Sequence, residues 1–294
     1  MTRLAGAARW DVAANLARKG WDPAGTKAWP KVAHIIIANG ENGKEADPLT
    51  AAGLAGAYDA PVLLTQTASL PAATKAIITE IARKNPRVRI HLIGGTASVP
   101  DARWNDIKRI KGVSTTKDRI AGANRYDVSA NIANRIVSLK GAAAVSGLIL
   151  IAADNPAAFY DALAASPIAY AKTMPMLSVK KGSVPPSVAK VMNSSALKNK
   201  KRYAASSASY IGAGSLSKAT RLTNSKNRYD ALTGSAYLGK RGGVMLFTDS
   251  SKAIQPASKS FITAHKTQIV DACVMGGTGS VPEAQRTSLK NLLK

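Results

Sequence analysis

The chain has 294 residues, with 41 Lys and Arg against 17 Asp and Glu, a formal net charge of +24. Hydrophobic residues at 46% and charged residues at 20% are the balance of a folded chain, which excludes wholesale disorder, and the length admits two or three domains. No run of about 18 apolar residues is present, excluding a membrane-spanning helix, and the one cysteine, Cys273, excludes an internal disulfide and any cysteine-built zinc or iron–sulfur site.

The opening residues Met1–Gly6 lack an apolar stretch of the signal-peptide kind, so an exported protein would carry this sequence without its leader. The charge is uneven. Residues 1–161 hold 21 basic and 13 acidic side chains, net +8, whereas residues 162–294 hold 20 basic and 4 acidic, net +16. Such a field implies an anionic partner, whether nucleic acid, anionic lipid or an acidic polysaccharide.

In chain order, Arg3-Leu-Ala-Gly-Ala-Ala-Arg9-Trp10-Asp11 opens a helical stretch. Ala33–Ala38 is an unbroken β-branched run, as are Val62–Leu64 and Ile90–Ile93, and unbroken rather than alternating runs predict strands covered on both faces. Between them lie Asp47-Pro-Leu49 opening an Ala-rich helix, and Ile77, Ile78 and Ile81 at helical spacing after Pro71. Gly94-Gly95-Thr96 then leads to a helix after Pro100 carrying Trp104, Ile107 and Ile110. The same landmarks return as Arg119-Ile-Ala-Gly-Ala-Asn-Arg125-Tyr126-Asp127, Leu148–Ala153, Asp161-Ala-Leu163, Pro175–Ser178 and Ile211-Gly-Ala-Gly214. Lys180–Arg202, rich in Lys, Ser and Pro, reads as an exposed basic excursion. They return a third time as Arg221-Leu-Thr-Asn-Ser-Lys-Asn-Arg228-Tyr229-Asp230, Gly243–Thr248 and Met275-Gly276-Gly277-Thr278.

Three landmarks repeated three times in one order define three tandem units, at 1–115, 116–217 and 218–294. The third is shortened. Asp230 serves at once as the partner of Asp11 and Asp127 and as that of Asp47 and Asp161, so the helix and strand that separate the two motifs elsewhere are lost. The last unit is therefore expected to differ in its sheet edge or its binding surface. Alternating strands and helices predict α/β units with doubly wound parallel sheets, Rossmann- or toprim-like.

Catalytic motifs are missing: there is no HExxH, no GxSxG and no phosphate-binding GxxxxGK[ST] loop, and no His–Cys cluster for a metal. His34 and His91 sit inside strand runs and read as structural; the third histidine is His265. No cofactor is implied, and no catalytic residue is assigned. Gly94-Gly95-Thr96 and Gly276-Gly277-Thr278 lie where a strand turns into a helix, a place that suits an anion or simply needs glycine for a tight turn. In the Arg–Asp motif, Asp11, Asp127 and Asp230 read as helix-start devices, and Asp47 and Asp161 as structural landmarks. At least one arginine of each motif reads as structural. Arg3, Arg119 and Arg221 are preferred as ligand candidates, with Arg9, Arg125 and Arg228 as further anion contacts.

These residues resemble the type 2 cell-wall-binding repeat (CWB2), found in triplets on surface proteins of Gram-positive bacteria. The resemblance rests on Arg119–Asp127, Asp161-Ala-Leu163, Pro61-Val-Leu-Leu64 and Ile93-Gly-Gly-Thr96, and it extends over essentially the whole chain. It implies three α/β units about a pseudo-threefold axis, with noncovalent attachment to an anionic secondary wall polymer, teichoic-type or another acidic polysaccharide. It also implies a secreted, wall-bound location and a fused or associated surface-layer or effector segment. The merged elements of the third copy and Gly212-Ala-Gly214 in the second depart from the pattern. Two other classes compete. One is a nucleic-acid-binding protein; 5% aromatic residues and dispersed Lys and Arg argue against it. The other is a nucleotide-dependent enzyme, supported by fold analogy alone.

Overall fold

The structure, a computed structural model, describes residues 2–206, 209–211, 219–221, 231–249 and 253–293. The first unit runs β1 (Thr2–Leu4), α1 (Arg9–Trp21), β2 (His34–Asn39), α2 (Ala46–Thr50), α3 (Ala52–Tyr58), β3 (Val62–Thr65), α4 (Ala72–Lys84), β4 (Arg89–Ile93) and α5 (Asp101–Lys108). The second follows with β5 (Asp118–Ile120), α6 (Arg125–Ala144, broken at Gly141), β6 (Leu148–Ala152), α7 (Phe159–Ala171), β7 (Met176–Val179), α8 (Pro186–Met192) and β8 (Arg202–Ala204). Of the third, the described elements are β9 (Ala219–Arg221), α9 (Ala231–Lys240), α10 (Pro256–His265), β10 (Cys273–Met275) and α11 (Glu283–Leu292).

All the strand pairings are parallel. One sheet has the order β3-β2-β4-β5, a second β7-β6-β8-β9, and β1 pairs with β10. The apolar runs are buried on both faces: every residue of β3, β6 and β7 is buried, as are all but the first of β2 and β4. This is the doubly wound arrangement expected of unbroken Ile, Leu and Val runs.

The edge strands are the unexpected feature. The first arginine of each motif, Arg3, Arg119 or Arg221, lies in a three-residue strand, and that strand completes the sheet of another unit. Leu92 pairs with Arg119, Ala204 with Arg221, and Arg3 with Val274 at the far end of the chain. Sheets and sequence repeats are thus offset by one strand, so the sheets run across the breaks at 115 and 217. The pairing of β1 with β10 ties the first unit to the last.

The Ala-rich helices form the middle of the molecule. Helices α3, α7 and α9, one from each unit, pack pairwise against one another. A Cβ on Gly56 would stand 2.0 Å from Tyr170 O, one on Gly53 2.2 Å from Met174 O, and one on Gly239 2.5 Å from Tyr170 Cβ. Small residues here set the helix spacing. Asp59, at the left-handed end of α3, joins the units: it accepts from Tyr170 Oη at 2.6 Å and from Lys240 Nζ at 2.7 and 2.8 Å. Burial together with Asp59 pushes the Tyr170 phenol well above its ordinary range. Trp21, Trp29 and Trp104 are buried, as helix and core positions require, while Trp10 stays partly exposed.

Two readings need correction. Gly243–Thr248, expected to be a strand like Val62–Thr65 and Met176–Val179, pairs with no strand. Among the described residues the third unit has no counterpart of β2 or β6, so no ladder is available to it. Within Lys180–Arg202, read as an exposed excursion, the segment 186–192 is α8, with Val188, Val191 and Met192 buried, while Lys181, Lys190 and Lys198 face solvent with Ser183, Asn193 and Asn199. Arg228, Asp230 and Gly212-Ala-Gly214 lie outside the described residues, as does the Arg221 side chain.

Candidate functional site

Arg3 and Arg119 perform the same task in two units. Arg119 Nη1 donates to Gly94 O at 2.8 Å, and its Nη2 to Val99 O at 2.7 Å and to Asp101 at 2.9 Å. Arg3 Nη1 donates to Gly276 O at 2.8 Å, and its Nη2 to Val281 O at 3.0 Å and Glu283 at 3.1 Å. The acceptors are five and seven residues beyond the glycine in both cases. The planar fork therefore holds the Gly-Gly-Thr loop to the first turn of the next helix. The backbone adds a matching bond, from Gly94 N–H to Ile120 O at 2.9 Å and from Gly276 N–H to Leu4 O at 3.0 Å.

Within the loop the glycines differ. Gly94 and Gly276 are buried at φ +107° and +109°, a region L side chains rarely adopt. A Cβ on Gly94 would sit 2.4 Å from Asp47 Oδ2. Gly95 and Gly277 have open space around them, and Thr96 and Thr278 are exposed. Asp101 is held below the ordinary carboxylate range by Lys117 first and Arg119 second, and Glu283 likewise by Arg286 and Arg3.

The second arginines also act in parallel. Arg9 Nη1 donates to Gly40 O at 2.6 Å and to Asn42 at 2.9 Å, and Arg125 donates to Ala153 O. Each carbonyl follows the last residue of the central strand. The helix starts are capped differently: Asp11 accepts from Ala8 N–H at 2.8 Å, whereas in the second copy Asn124 caps the N–H groups of Tyr126 and Asp127, and Asp127 holds the Asn124 side chain by accepting from its amide. A Cβ on Gly6 or Gly122 would stand 2.3 or 2.4 Å from the Asp11 or Asp127 Cβ, so the motif glycine makes room for the helix. Asn15 and Asn131, four residues after each aspartate, donate to Ala5 O and Ala121 O at 2.7 Å. Sequence reasoning missed this pair, although the Asp-x-x-x-Asn spacing stands in both copies.

These parts meet at the carboxyl ends of the central strands. The loops after β2 and β4 leave in opposite directions, which makes the gap between them a topological switch point, the usual binding crevice of an open parallel sheet. In the first unit it holds Arg9, Lys44, Glu41, Asn39 and the Gly94–Ala97 loop. Asn39 is fully buried and donates to Ser98 O at 2.6 Å and Thr67 Oγ1 at 2.9 Å; Lys44 Nζ reaches Ala97 O at 3.0 Å. Thr67, at 2.5 Å, is the main cause holding the Glu41 carboxyl below its usual range. Burial raises Asp47 against Ser98, Arg125 and Lys44. In the second unit Asp161 is also raised by burial and accepts from Ser206 Oγ at 2.7 Å, with Lys180 5.7 Å from the Tyr126 ring centre. None of Asn39, Glu41, Thr67 or Ser206 was singled out by sequence, because they belong to no repeated motif.

His34 and His91 stand at the opposite end of the sheet. His34 Nδ1 lies 2.9 Å from His91 Nε2, His91 Nδ1 lies 2.7 Å from Asp118, and Arg135 donates twice to Asp118, at 2.7 and 3.0 Å. Tyr58 stacks on both imidazoles. This column joins β2, β4, β5, α3 and α6, which is the structural role expected of strand histidines. Among the described residues no cluster of His, Cys, Asp or Glu could hold a metal, and no helix is long and apolar enough to cross a membrane.

Tandem parallel α/β units, sheets closed by a neighbour's strand and repeated switch-point crevices define a repeat-built binding scaffold. The chain belongs to the cell wall binding domain 2 (CWB2) family, whose model matches residues 3–103, 119–221 and 188–285. The first two matches begin at Arg3 and Arg119, the strand residues of the clamp. Membership in that family places the chain with the cell wall. It is 33% identical over 183 residues to the amidase enhancer of Bacillus subtilis (strain 168), covering 62% of this chain and 22% of that protein. It is 30% identical over 182 residues to N-acetylmuramoyl-L-alanine amidase LytC of the same organism, covering 62% of this chain and 32% of that one. Cwp6 from Clostridium difficile shares its fold at a TM-score of 0.77 and 23% identity, over 100% of this chain and 48% of Cwp6. Cwp8 from the same organism shares it at 0.80 and 16%, over 99% of this chain and 51% of Cwp8. The chain spans a third or less of those curated relatives and about half of the two solved structures.

Proposed function

We propose that the chain is a noncovalent cell-wall anchor, without enzymatic activity of its own, that holds an anionic secondary wall polymer, teichoic-type or another acidic polysaccharide, on a Gram-positive cell surface. The observation that carries this reading is the net charge of +24 together with arginines held alike at the central strand ends of two successive units, Arg9 on Gly40 O and Arg125 on Ala153 O. A repeating polyanion held at several linked crevices gains affinity because each contact after the first is intramolecular. The units are read as lying about a pseudo-threefold axis, with α3, α7 and α9 around it. The protein is read as secreted, serving a fused or associated surface-layer or effector segment.

The roles within the site divide by chemistry. Both terminal nitrogens of Arg3 and of Arg119 are occupied by carbonyls and carboxylates, so these arginines are assigned the shaping of the loops, with Arg221 their counterpart by sequence. The polymer contacts are assigned to the open loop backbones, Gly95-Thr96 and Gly277-Thr278, and to the cations beside the crevices, Arg9, Lys44, Arg125 and Lys180, with Arg228 by analogy. Gly94 and Gly276 supply the turn beneath them.

Co-sedimentation with purified Gram-positive walls, before and after acid extraction of their anionic polymers and over a salt series, tests the proposal. Binding that is lost on extraction and weakens steadily with salt is expected. Equal binding to both preparations would mean a peptidoglycan ligand or undirected charge attraction, and no binding at moderate salt would refute the anchor.

A further inference from the structure

In the first two units the central strand is hydrogen-bonded on both sides. β2 lies between β3 and β4, with Ile37 opposite both Leu63 and Leu92; β6 lies between β7 and β8, with Ile149 opposite both Met176 and Tyr203. Among the described residues the third unit keeps the two flanks without the centre. β10 has β1 on one edge, and Gly243–Thr248, the counterpart of β3 and β7 in the order of the repeat, lines the same groove as Val274 of β10. Among the described residues no backbone hydrogen bond joins Gly243–Thr248 to β10, and none is donated by the N–H groups of Val244, Met245, Leu246 or Phe247.

Between these segments lies a groove of about 1150 Å³, lined along its length by Val244, Leu246, Phe247, Phe261, Ile262 and Val274. Val244 is 56% exposed and Leu246 41%, where all of Val62–Thr65 and Met176–Val179 are buried. The groove is therefore a sheet with its middle strand left out.

We infer that this groove takes an apolar β-strand of about five residues from a partner polypeptide, lying parallel to β10 and completing the third sheet. The sister units specify the occupant. What fills the same place there is Ile-Ile-Ile-Ala at 35–38 and Leu-Ile-Leu-Ile-Ala at 148–152, uncharged and buried on both faces. The chemistry favours a peptide over a small apolar ligand. A strand would pair the open N–H groups of Val244–Phe247 while covering the exposed side chains, whereas a hydrocarbon would bury those donors unpaired, at a cost of order 1–3 kcal/mol each. Strand addition to an open edge is an established mode of recognition, with main-chain bonds giving affinity and alternate side chains giving selectivity. The groove also borders Arg9 and Gly277, assigned above to the polymer, but the strand reading rests on the apolar side chains and open N–H groups of Val244–Phe247 and not on those contacts.

The test uses the full chain and a synthetic peptide of its own residues 147–155, Gly-Leu-Ile-Leu-Ile-Ala-Ala-Asp-Asn, extended by two lysines for solubility. Saturable binding by fluorescence anisotropy is expected, with a rise in Tm and slowed amide exchange at 244–247. A peptide carrying Leu150→Asp, and one N-methylated at alternate residues to block pairing, are each expected to bind at least about tenfold more weakly, one main-chain or packing contribution of about 1.4 kcal/mol. Leu246→Asp in the protein, a change at a partly exposed position, is expected to abolish peptide binding with the circular dichroism and wall binding unchanged. Absence of saturable binding overturns the inference. So does equal affinity for the N-methylated peptide, which would mark an apolar pocket rather than a strand site, or slow exchange at 244–247 without peptide. A chain that dimerises through this groove and ignores the peptide overturns it too.

Discussion

Arg119→Met tests the clamp most directly. The side chain, 13% exposed, makes two charge-assisted bonds to backbone carbonyls at 2.8 and 2.7 Å and an ion pair to the half-exposed Asp101. Bonds of that kind are worth about 1.5–3 kcal/mol each, and a solvent-exposed ion pair about 0–1. Methionine keeps the apolar stem in place, and water reaching the freed carbonyls recovers part of the loss, so a net destabilisation of about 3 kcal/mol is expected. The assay is urea unfolding followed by circular dichroism, with the midpoint falling at unchanged m-value. Arg119→Lys should recover less than half, because a single ammonium cannot span Gly94 O and Val99 O together. Asp101→Asn should cost under about 1 kcal/mol. A loss below about 1 kcal/mol for Arg119→Met, with wall binding abolished in a chain of full stability, would refute the clamp and restore Arg119 as a polymer ligand.

The remaining predictions concern neighbouring features. Gly94→Ala forces a side chain into φ +107° and onto Asp47, and should destabilise by about 1–3 kcal/mol, whereas Gly95→Ala, with nothing nearer than Gly122 O at 4.0 Å, should stay within about 0.5; equal losses in thermal melts would contradict this. Burial first, then the charges of His91 and Arg89, lower His34 to about 4, so between pH 6.5 and 4 the unfolded chain binds a proton that the folded chain refuses. Stability should therefore fall as pH drops through that window, by about 3 kcal/mol at most and about 1–2 after allowing for solvent around this half-buried ring. Asp118, held far below its usual range chiefly by His91 and also by Arg135, adds a further loss only below about pH 4; urea midpoints at pH 7, 5.5 and 4.5 that do not move would contradict the first expectation, and midpoints that hold steady from about pH 4 to pH 2.5 the second. Tyr170→Phe removes the 2.6 Å bond to Asp59 between units and should cost about 1–2 kcal/mol by urea unfolding while leaving wall sedimentation unchanged.

The elements legible in sequence are those whose signal is local. Unbroken runs such as Ile35–Ala38 and Leu148–Ala152 specify strands buried on both faces, and Arg-x-x-Gly-x-x-Arg-x-Asp, present twice and returning one residue longer and without its glycine at Arg221–Asp230, marks the units without any knowledge of contacts. The shortening of the third copy was equally plain, since its effect is a count of residues between Asp landmarks. The helix-start role of Asp11 and Asp127 was readable too, Asp11 on a backbone N–H and Asp127 through the capping Asn124, because a cap acts within one turn.

The edge strands were not readable. A three-residue strand has too little sequence to announce itself, and its partner can lie anywhere: Arg3 pairs beside Val274, 271 residues away. The role of each first arginine followed the same division. From composition it is a free cation facing an anion; in the fold its fork is filled by carbonyls that only the neighbouring unit brings within 3 Å. The groove of the third unit needed both sources. Sequence shows that a helix and strand are missing, but whether the flanks would close over the gap is a matter of packing. β10 is fixed by its pairing with β1, and α9 by its packing on α3 and α7, contacts that lie outside the third copy. Local sequence thus determined which pieces this protein has, and tertiary structure decided which pieces share a sheet, because hydrogen-bond partners between distant short strands are selected by the assembled whole.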